Sequence, residues 1–164
     1  MELMLFVLVL VVIIAVLLAF FSKSSQVKYL KRGALFSPAE RSFLGVLEKA
    51  LESEYRILGK VRIADVLTPE RGHSRKKWQI AFNKISAKHF DFVLCHVNTL
   101  EVIAVVELDD KSHNRQKAKA RDQIVQSACE SSGLPLIRFA AKASYQIRDI
   151  RHLVETAINL PVEQ

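Results

Sequence analysis

The sequence has few cysteines and fewer acidic than basic residues, and one long stretch carries no charge at all. Two cysteines, Cys95 and Cys129, are too few for a disulfide scaffold and lack the spacing of a zinc or redox site. The length of 164 residues excludes a multidomain enzyme, and a single long apolar run excludes a polytopic transporter. No helix-turn-helix, zinc-finger or RNA-binding signature is present, so reading of bases is not indicated. The 24 basic residues outnumber the 17 acidic ones, and a net charge of +7 favours a polyanionic partner.

The uncharged stretch runs from Leu3 to Phe21 and consists only of apolar residues. As a helix it would be about 28 Å long, close to the thickness of a bilayer's hydrocarbon core. The acidic Glu2 before it and the bulky rings at its end are not typical of a cleaved signal peptide. We therefore expect residues 1–21 to be a transmembrane anchor that contacts the lipid bilayer through residues 3–21.

The residues after the anchor are basic, which predicts the orientation of the protein. The positive-inside rule places it in the inner membrane as a single-pass protein with its C-terminal domain in the cytoplasm. Residues 22–36 are expected to form a basic juxtamembrane linker whose side chains could contact anionic lipid headgroups. The domain itself is expected to span residues 37–164. Four basic residues follow the apolar run within a dozen positions: Lys23, Lys28, Lys31 and Arg32.

The domain alternates segments with helical and with strand-like patterns. Its first helix has strong start signals, with Ser37 as N-cap, Pro38 at the first position and Glu40 at the third. The further segments are one strand or two over 55–67, a basic loop over 68–77, a helix over 78–85, strands over 89–97 and 101–108, a helix over 114–132, a strand over 135–140 and a helix over 146–159. This order predicts an α/β fold, a three-layer sandwich with a mixed central sheet.

Two acids, Asp91 and Glu107, interrupt the apolar strands of the central hairpin. A three-residue loop over 98–100 would pair Val97 with Glu101 and would set Asp91 opposite Glu107, about 5 Å away on the same face. Asp109 would point the same way, because side chains of a strand alternate with a period of two. A two-residue loop would separate the pair unless a bulge corrected the parity.

Carboxylates this close repel one another, so the arrangement favours a cation such as Mg²⁺ or Mn²⁺. Other interpretations remain open for each acid. Asp109 and Asp110 could be solvated residues at a strand end, and Asp91 could cap a helix or pair with a basic neighbour. Glu40 could serve only the capping box of its helix.

Four features of the chain carry a resemblance when they are taken together: Asp91, the segment ELDDKSH at Glu107–His113, the pair Arg121-Asp122 and the segment GLPLIRF at Gly133–Phe139. They resemble the restriction-endonuclease-like PD-(D/E)XK nuclease superfamily, and in particular its very-short-patch-repair-endonuclease-like branch. More closely, the chain resembles a bacterial domain of unknown function with this fold, often found behind one N-terminal transmembrane helix. The resemblance extends over about residues 36–145.

The resemblance implies that Asp91 and Glu107 bind Mg²⁺, that Glu40 joins them, and that a lysine two residues after the glutamate orients the attacking water. This chain has Asp109 at that lysine position. Lys111, or Lys117 or Lys119 on the next helix, could take its place, and Asp109 itself could ligate metal.

Several basic and polar residues near the acids are candidates for supporting roles. His113 could act as acid, base or phosphate contact, or could simply start the next helix. Arg121 and Asp122 could form a surface ion pair, whereas the resemblance implies that they face the site and touch phosphate or brace the acids. Arg138 lies in a short apolar strand, where an arginine is seldom buried without a partner, so it could neutralise one carboxylate.

The loop over residues 68–77 carries the densest group of basic side chains. It could bind the phosphate backbone of nucleic acid, with DNA expected before RNA, or it could face lipid headgroups. Its basic residues are Arg71, Arg75, Lys76 and Lys77, followed by Trp78.

Three functions are compatible with these patterns. The first is a membrane-tethered, cytoplasmic, metal-dependent nuclease-like domain with Asp91, Glu107, Asp109 and His113 as catalytic candidates. The second is a catalytically inactive module that binds nucleic acid or protein at the membrane, which the missing motif lysine favours. The third is an electrostatic adaptor at the membrane surface, for which the carboxylates would have no role.

Overall fold

A computed structural model describes residues 1–21, 27–109 and 115–159, without the side chains of residues 18–21 and 115–118. The chain forms two compact units, Met1–Gly33 and Ala34–Gln164. The first unit contains helix α1 (Glu2–Phe21). Among the described residues, no helix combines the length and the apolar character needed to cross a membrane. The transmembrane anchor predicted over residues 1–21 is therefore not supported.

The second unit has an α/β architecture with a four-stranded mixed sheet, as the order of segments predicted. The strands follow one another in the order β1-β2-β3-β4. The first three are antiparallel, and β4 pairs with β3 in parallel. The elements are α2 (Pro38–Leu51), β1 (Tyr55–Arg62), α3 (Ile63–Val66), α4 (Arg75–Ile85), β2 (His89–His96), β3 (Val102–Asp109), α5 (Arg115–Ser132), β4 (Leu136–Ala140) and α6 (Ile147–Asn159).

Helices cover both faces of this sheet and enclose two apolar clusters. On one face, α2 and α6 contribute Phe43 and Ile150, which pack with Phe92 of β2. On the other face, α5 contributes Val125, which packs with Val105 of β3. The alternation of side chains along the central strands supplies both clusters, because successive residues point to opposite faces.

The ends of two helices follow directly from local sequence. Ser37 caps α2: its Oγ accepts the Glu40 N–H at 3.3 Å, while Glu40 Oε2 accepts the Ser37 N–H at 2.9 Å. This reciprocal capping box satisfies two backbone donors that a helix start leaves without partners. Helix α5 ends before Gly133, whose φ of 66° lies in the left-handed region that glycine adopts without steric cost.

Two of the predicted segments differ from the structure. Strand β1 ends at Arg62, and the following residues form the short helix α3 instead of a second strand. Helix α4 begins at Arg75 rather than at Trp78, because the Ser74 hydroxyl caps it by accepting the Lys77 N–H. Three residues assigned to the basic loop therefore lie in the first turn of α4.

The loop of the hairpin has four residues, so the predicted pairing of Val97 with Glu101 is wrong. The His96 N–H donates to the Glu101 carbonyl at 2.8 Å, which closes a loop over residues 97–100. An even-numbered loop reverses the parity of the pairing, but the register shifts between Leu94 and Cys95 through a bulge. The extra residue restores the parity. Beyond the bulge, Phe92 pairs with Val106, so the next pair along the ladder is Asp91 and Glu107.

Candidate functional site

Four charged residues form a row that crosses all four strands of the sheet. The registers of the neighbouring pairs set Lys60 of β1 opposite Asp91 of β2 and set Asp91 opposite Glu107 of β3. Glu107 pairs in turn with Arg138 of β4. The row therefore reads lysine, aspartate, glutamate, arginine, and its two central acids lie among buried apolar residues.

Asp91 is buried, with 8% of its surface exposed, and both of its oxygens have partners. Oδ2 accepts the backbone N–H of Leu108 at 3.0 Å, and Oδ1 accepts a hydrogen bond from Lys60 Nζ at 2.9 Å. One contact ties Asp91 to β3 and the other ties it to β1. The carboxylate is thereby fixed in the middle of the sheet.

Lys60 is held from three directions. Its Nζ donates to Glu40 Oε1 at 2.7 Å as well as to Asp91, and it lies 6.0 Å from the centre of the Phe36 ring. Burial disfavours the charge of the ammonium, but the hydrogen bonds that it donates to Asp91 and Glu40 outweigh burial and raise the pKa of Lys60 above its usual value. The Lys60 backbone has a φ of 56°, a left-handed conformation that residues with a side chain seldom adopt.

Glu107 is 2% exposed, and only one of its oxygens has a partner among the described residues. Oε2 accepts a hydrogen bond from Arg121 Nη2 at 3.0 Å, whereas Oε1 is buried without one. Burial, followed by the nearby charge of Asp91, raises the pKa of Glu107 from 4.5 to about 7, although Arg121 and Arg138 oppose the change. Oε1 is thus a buried oxygen that faces no donor in the described part of the chain.

Asp109 and Asp122 share one arginine at the edge of the site. Arg138 Nη1 donates to Asp109 Oδ1 at 3.0 Å and lies 3.9 Å from Asp122 Oδ1. Arg121 contacts Glu107 instead of Asp122, so the structure does not contain the ion pair between adjacent residues that the sequence left open. On α5, Arg121 therefore contacts an acid of the row, whereas Asp122 lies near Arg138.

Glu40 has no oxygen without a partner. Oε2 belongs to the capping box with Ser37, and Oε1 accepts the Lys60 ammonium. Burial opposes ionisation, but Lys60 and Ser37 together lower the pKa of Glu40 below its usual value. Glu40 therefore contacts the site only by way of Lys60, and it does so while its other oxygen caps the start of α2.

The remaining candidates lie away from the row or outside the described residues. Lys111, His113 and Asp110 lie in residues 110–114, which the structure does not describe. The basic group at the start of α4 is exposed, and within the described chain it forms no ion pair. Helix α4 is about 16 Å long and ends four residues before β2, so this group lies at the far end of the helix from β2. The group consists of Arg71, Arg75, Lys76 and Lys77.

Across the described residues, no group of three or more His, Cys, Asp or Glu side chains is arranged to hold a metal ion. The physical reason is that the acids of the site contact basic side chains instead of converging on one point. Asp91 contacts Lys60, Glu107 contacts Arg121 and Asp109 contacts Arg138. The site is a pair of buried acids on adjacent strands, and one oxygen of Glu107 has no hydrogen-bond partner in the part of the chain that the structure describes.

Lys60 is the site residue that sequence reasoning missed. The signal for it was Gly59, a glycine inside a strand, which marks a close approach of another group. A Cβ at Gly59 would lie 2.1 Å from Cζ of Phe36. The bare backbone lets the Phe36 ring cross the strand beside Lys60, and that ring lines the position of the ammonium.

The comparisons with known proteins give one family. Residues 32–158, most of the chain, match the family described as "Protein of unknown function (DUF2726)". No curated protein and no solved structure matches the chain. The matched range contains the whole sheet and all residues of the charged row. The chain therefore belongs to this family.

Proposed function

We propose that the second unit of this protein is a metal-dependent nuclease-like domain that acts on phosphodiester bonds of nucleic acid, with DNA preferred over RNA. The observation that carries the proposal is the pair Asp91 and Glu107, two buried acids on adjacent strands, one with an oxygen that has no partner in the described chain. A buried acid with a perturbed pKa, as Glu107 has, is uncommon outside functional sites, because burial of a charge is costly.

The charges around the row are compatible with one divalent cation. Five carboxylates (Glu40, Asp91, Glu107, Asp109, Asp122) surround three basic side chains (Lys60, Arg121, Arg138), which leaves a formal charge of −2 when all are ionised. Mg²⁺ or Mn²⁺ would be held by Asp91 and by the free oxygen of Glu107. Two protein ligands suffice for Mg²⁺, which usually keeps several waters. Such an ion polarises a phosphate and lowers the pKa of a bound water.

The protein's own residues would hold the substrate beside this pair. Arg121 is 41% exposed, so its guanidinium can contact a phosphate while it pairs with Glu107. The exposed basic group at the start of α4 would contact the backbone further along the nucleic acid, without reading its sequence.

The sequence resemblance to the PD-(D/E)XK superfamily supports the same assignment, with the central sheet as its restriction-endonuclease-like core. The four-stranded mixed sheet and the helices on both faces are compatible with that fold. The proposal does not depend on a location at the inner membrane, for which the structure gives no support.

The test is a cleavage assay with the full-length chain. Single-stranded, duplex and branched DNA and RNA are incubated with Mg²⁺, Mn²⁺ or EDTA, and products are separated on denaturing gels. Asp91→Asn and Glu107→Gln should each abolish cleavage, since each removes a metal ligand but preserves side-chain size. Glu101→Gln is the matched control, because Glu101 is an exposed acid next to the other end of β3. Cleavage that survives EDTA, or survives both substitutions, would refute the proposal.

A second candidate is a module that binds nucleic acid without cleaving it. Its support is that every acid of the row already contacts a basic residue, and that no group of three ligands occurs in the described residues. In that case the same assay gives no products, and gel-shift binding is equal in Mg²⁺ and EDTA. Glu107→Gln would then leave binding unchanged.

A further inference from the structure

The Lys60 ammonium lies between two carboxylates that come from different parts of the fold. Glu40 is at the start of α2 and Asp91 is in the centre of the sheet, and the Nζ atom of Lys60 contacts them at 2.7 Å and 2.9 Å. A cation that bridges two carboxylates occupies the kind of position that a divalent ion takes between acidic ligands. Lys60 thus neutralises the acid on which the proposed metal site depends.

Among the three basic residues of the site, Lys60 is the most directly placed to affect metal binding. Its side chain is 25% exposed and contacts Oδ1 of Asp91. The other oxygen of Asp91, Oδ2, already accepts the Leu108 N–H, so a metal ion must compete with Lys60 for Oδ1. Arg121 contacts one oxygen of Glu107, and the second oxygen has no partner among the described residues. Arg138 contacts Asp109 and Asp122 at the edge of the site.

The backbone at Lys60 indicates that the position of the ammonium is imposed by the fold. A φ of 56° is sterically disfavoured for lysine, and such conformations persist where the surroundings over-determine them. The surroundings here are Glu40, Asp91 and the Phe36 ring. Glu40 in turn is fixed by the capping box of α2, so the ammonium is anchored to a helix start.

We propose that Lys60 is a resident cation of the carboxylate site that competes with a divalent ion for Asp91, and that Glu40 holds this ammonium in place and is not a metal ligand. The inference rests on the metal site of the proposed function and specifies how its affinity is set. Glu40 and Lys60 are positioning residues in this scheme. A divalent ion can bind Oδ1 of Asp91 only when the Lys60 ammonium moves off this oxygen towards Glu40.

The test measures Mn²⁺ affinity of the full-length chain from the electron paramagnetic resonance signal of the free ion. Lys60→Met keeps the stem and the backbone constraint but removes the charge, so it should bind Mn²⁺ about tenfold more tightly. Lys60→Arg keeps the charge and should stay close to wild type. Lys49→Met is the control, an exposed lysine in the last turn of α2.

Glu40→Gln, alone and combined with Lys60→Met, separates the two roles of Glu40. Alone it should weaken Mn²⁺ binding about threefold, because the ammonium then pairs with Asp91 only. In the double variant it should have no further effect if Glu40 acts through Lys60. A large loss of affinity in the double variant, relative to Lys60→Met, would make Glu40 a ligand and overturn the inference.

The outcomes distinguish this inference from the function on which it rests. If wild type binds Mn²⁺ and Lys60→Met binds it no more tightly, the competition is refuted while the metal site stands. If neither wild type nor any variant binds Mn²⁺, the metal site itself is refuted, and the competition with it. Circular dichroism melting of each variant confirms that the folded chain is what binds.

Discussion

The substitution Glu107→Gln should stabilise the protein above neutral pH and have a much smaller effect in acid. Glu107 is almost fully buried, and its pKa is raised from 4.5 to about 7, first by burial and then by Asp91. At a pH between 4.5 and about 7, Glu107 keeps its proton in the folded chain but has released it in the unfolded chain. Stability therefore falls as the pH rises through this range. Glutamine has the shape of the protonated acid and does not titrate.

The magnitude follows from the two pKa values. Ionisation of Glu107 should cost the folded state about 0.8 kcal/mol at about pH 5 and about 3.3 kcal/mol at about pH 8. The stability gained by Glu107→Gln should therefore increase by about 2.5 kcal/mol between these two conditions. Loss of the charge-assisted contact with Arg121 does not change this difference, because the opposing effect of Arg121 is already contained in the raised pKa.

The assay is urea unfolding in EDTA at the two pH values, followed by the fluorescence of Trp78, the single tryptophan of the chain. Glu101→Gln serves as the control, since its side chain is in water and its replacement should change stability little at either pH. Excess Mg²⁺ should reduce the pH dependence of wild type, because an ion at Oε1 stabilises the ionised acid. An equal effect of Glu107→Gln at both pH values would refute the buried, proton-binding glutamate.

Two further predictions concern the elements that position Lys60. Gly59→Ala should destabilise the protein by about 2 kcal/mol in urea unfolding, because the new Cβ would lie 2.1 Å from Cζ of Phe36. In the double variant, Phe36→Ala should remove this cost. If the losses in free energy of unfolding of the two single variants simply add in the double variant, the clash is refuted. Ser37→Ala should cost about 1 kcal/mol in the same measurement through loss of the α2 cap, and a change indistinguishable from that of the exposed Ser53→Ala would contradict a capping role.

The α/β class and most elements were predictable because their signals are local. The capping box at Ser37, the stop at Gly133 and the continuous apolar runs of the hairpin strands each depend on a few adjacent residues. The start of α4 was missed because Ser74 is followed by basic residues instead of an apolar stripe. The cap then decides where the helix begins, and periodicity does not reveal it.

The pairing of Asp91 with Glu107 was expected, but the loop that produces it differs from the expected one. The expectation used a three-residue loop, whereas the chain uses four residues and a bulge at Leu94–Cys95. A three-residue loop and a four-residue loop with a bulge both set Asp91 opposite Glu107. Loop length alone therefore does not determine which residues of the hairpin lie opposite each other, because a bulge can add a residue to one strand.

Arg138 was expected to neutralise one carboxylate, but its choice of Asp109 and the contact of Lys60 with Asp91 were not predictable by the same reasoning. Lys60 and Asp91 are 31 positions apart, and Arg138 and Asp109 are 29 apart. Their contacts arise only when β1 and β4 take their places on either side of the hairpin. Sequence spacing therefore identified the two acids, while the order of strands determined which charges neutralise them.

The row of charges is a costly way to build the centre of a sheet, and this cost bears on function. Apolar residues at positions 91 and 107 would pack between the same neighbours without a desolvation penalty, and such replacements are often neutral or stabilising. The chain instead carries a buried oxygen on Glu107 with no partner in its described part and a lysine in a left-handed conformation. A site that only stabilised the fold would require neither feature. If Glu107→Gln is more stable at alkaline pH but no longer binds Mn²⁺, then the acid at this position lowers the stability of the fold and is required for metal binding. If it is more stable and binds Mn²⁺ as wild type does, the acid is not a ligand and the nuclease proposal loses its central observation.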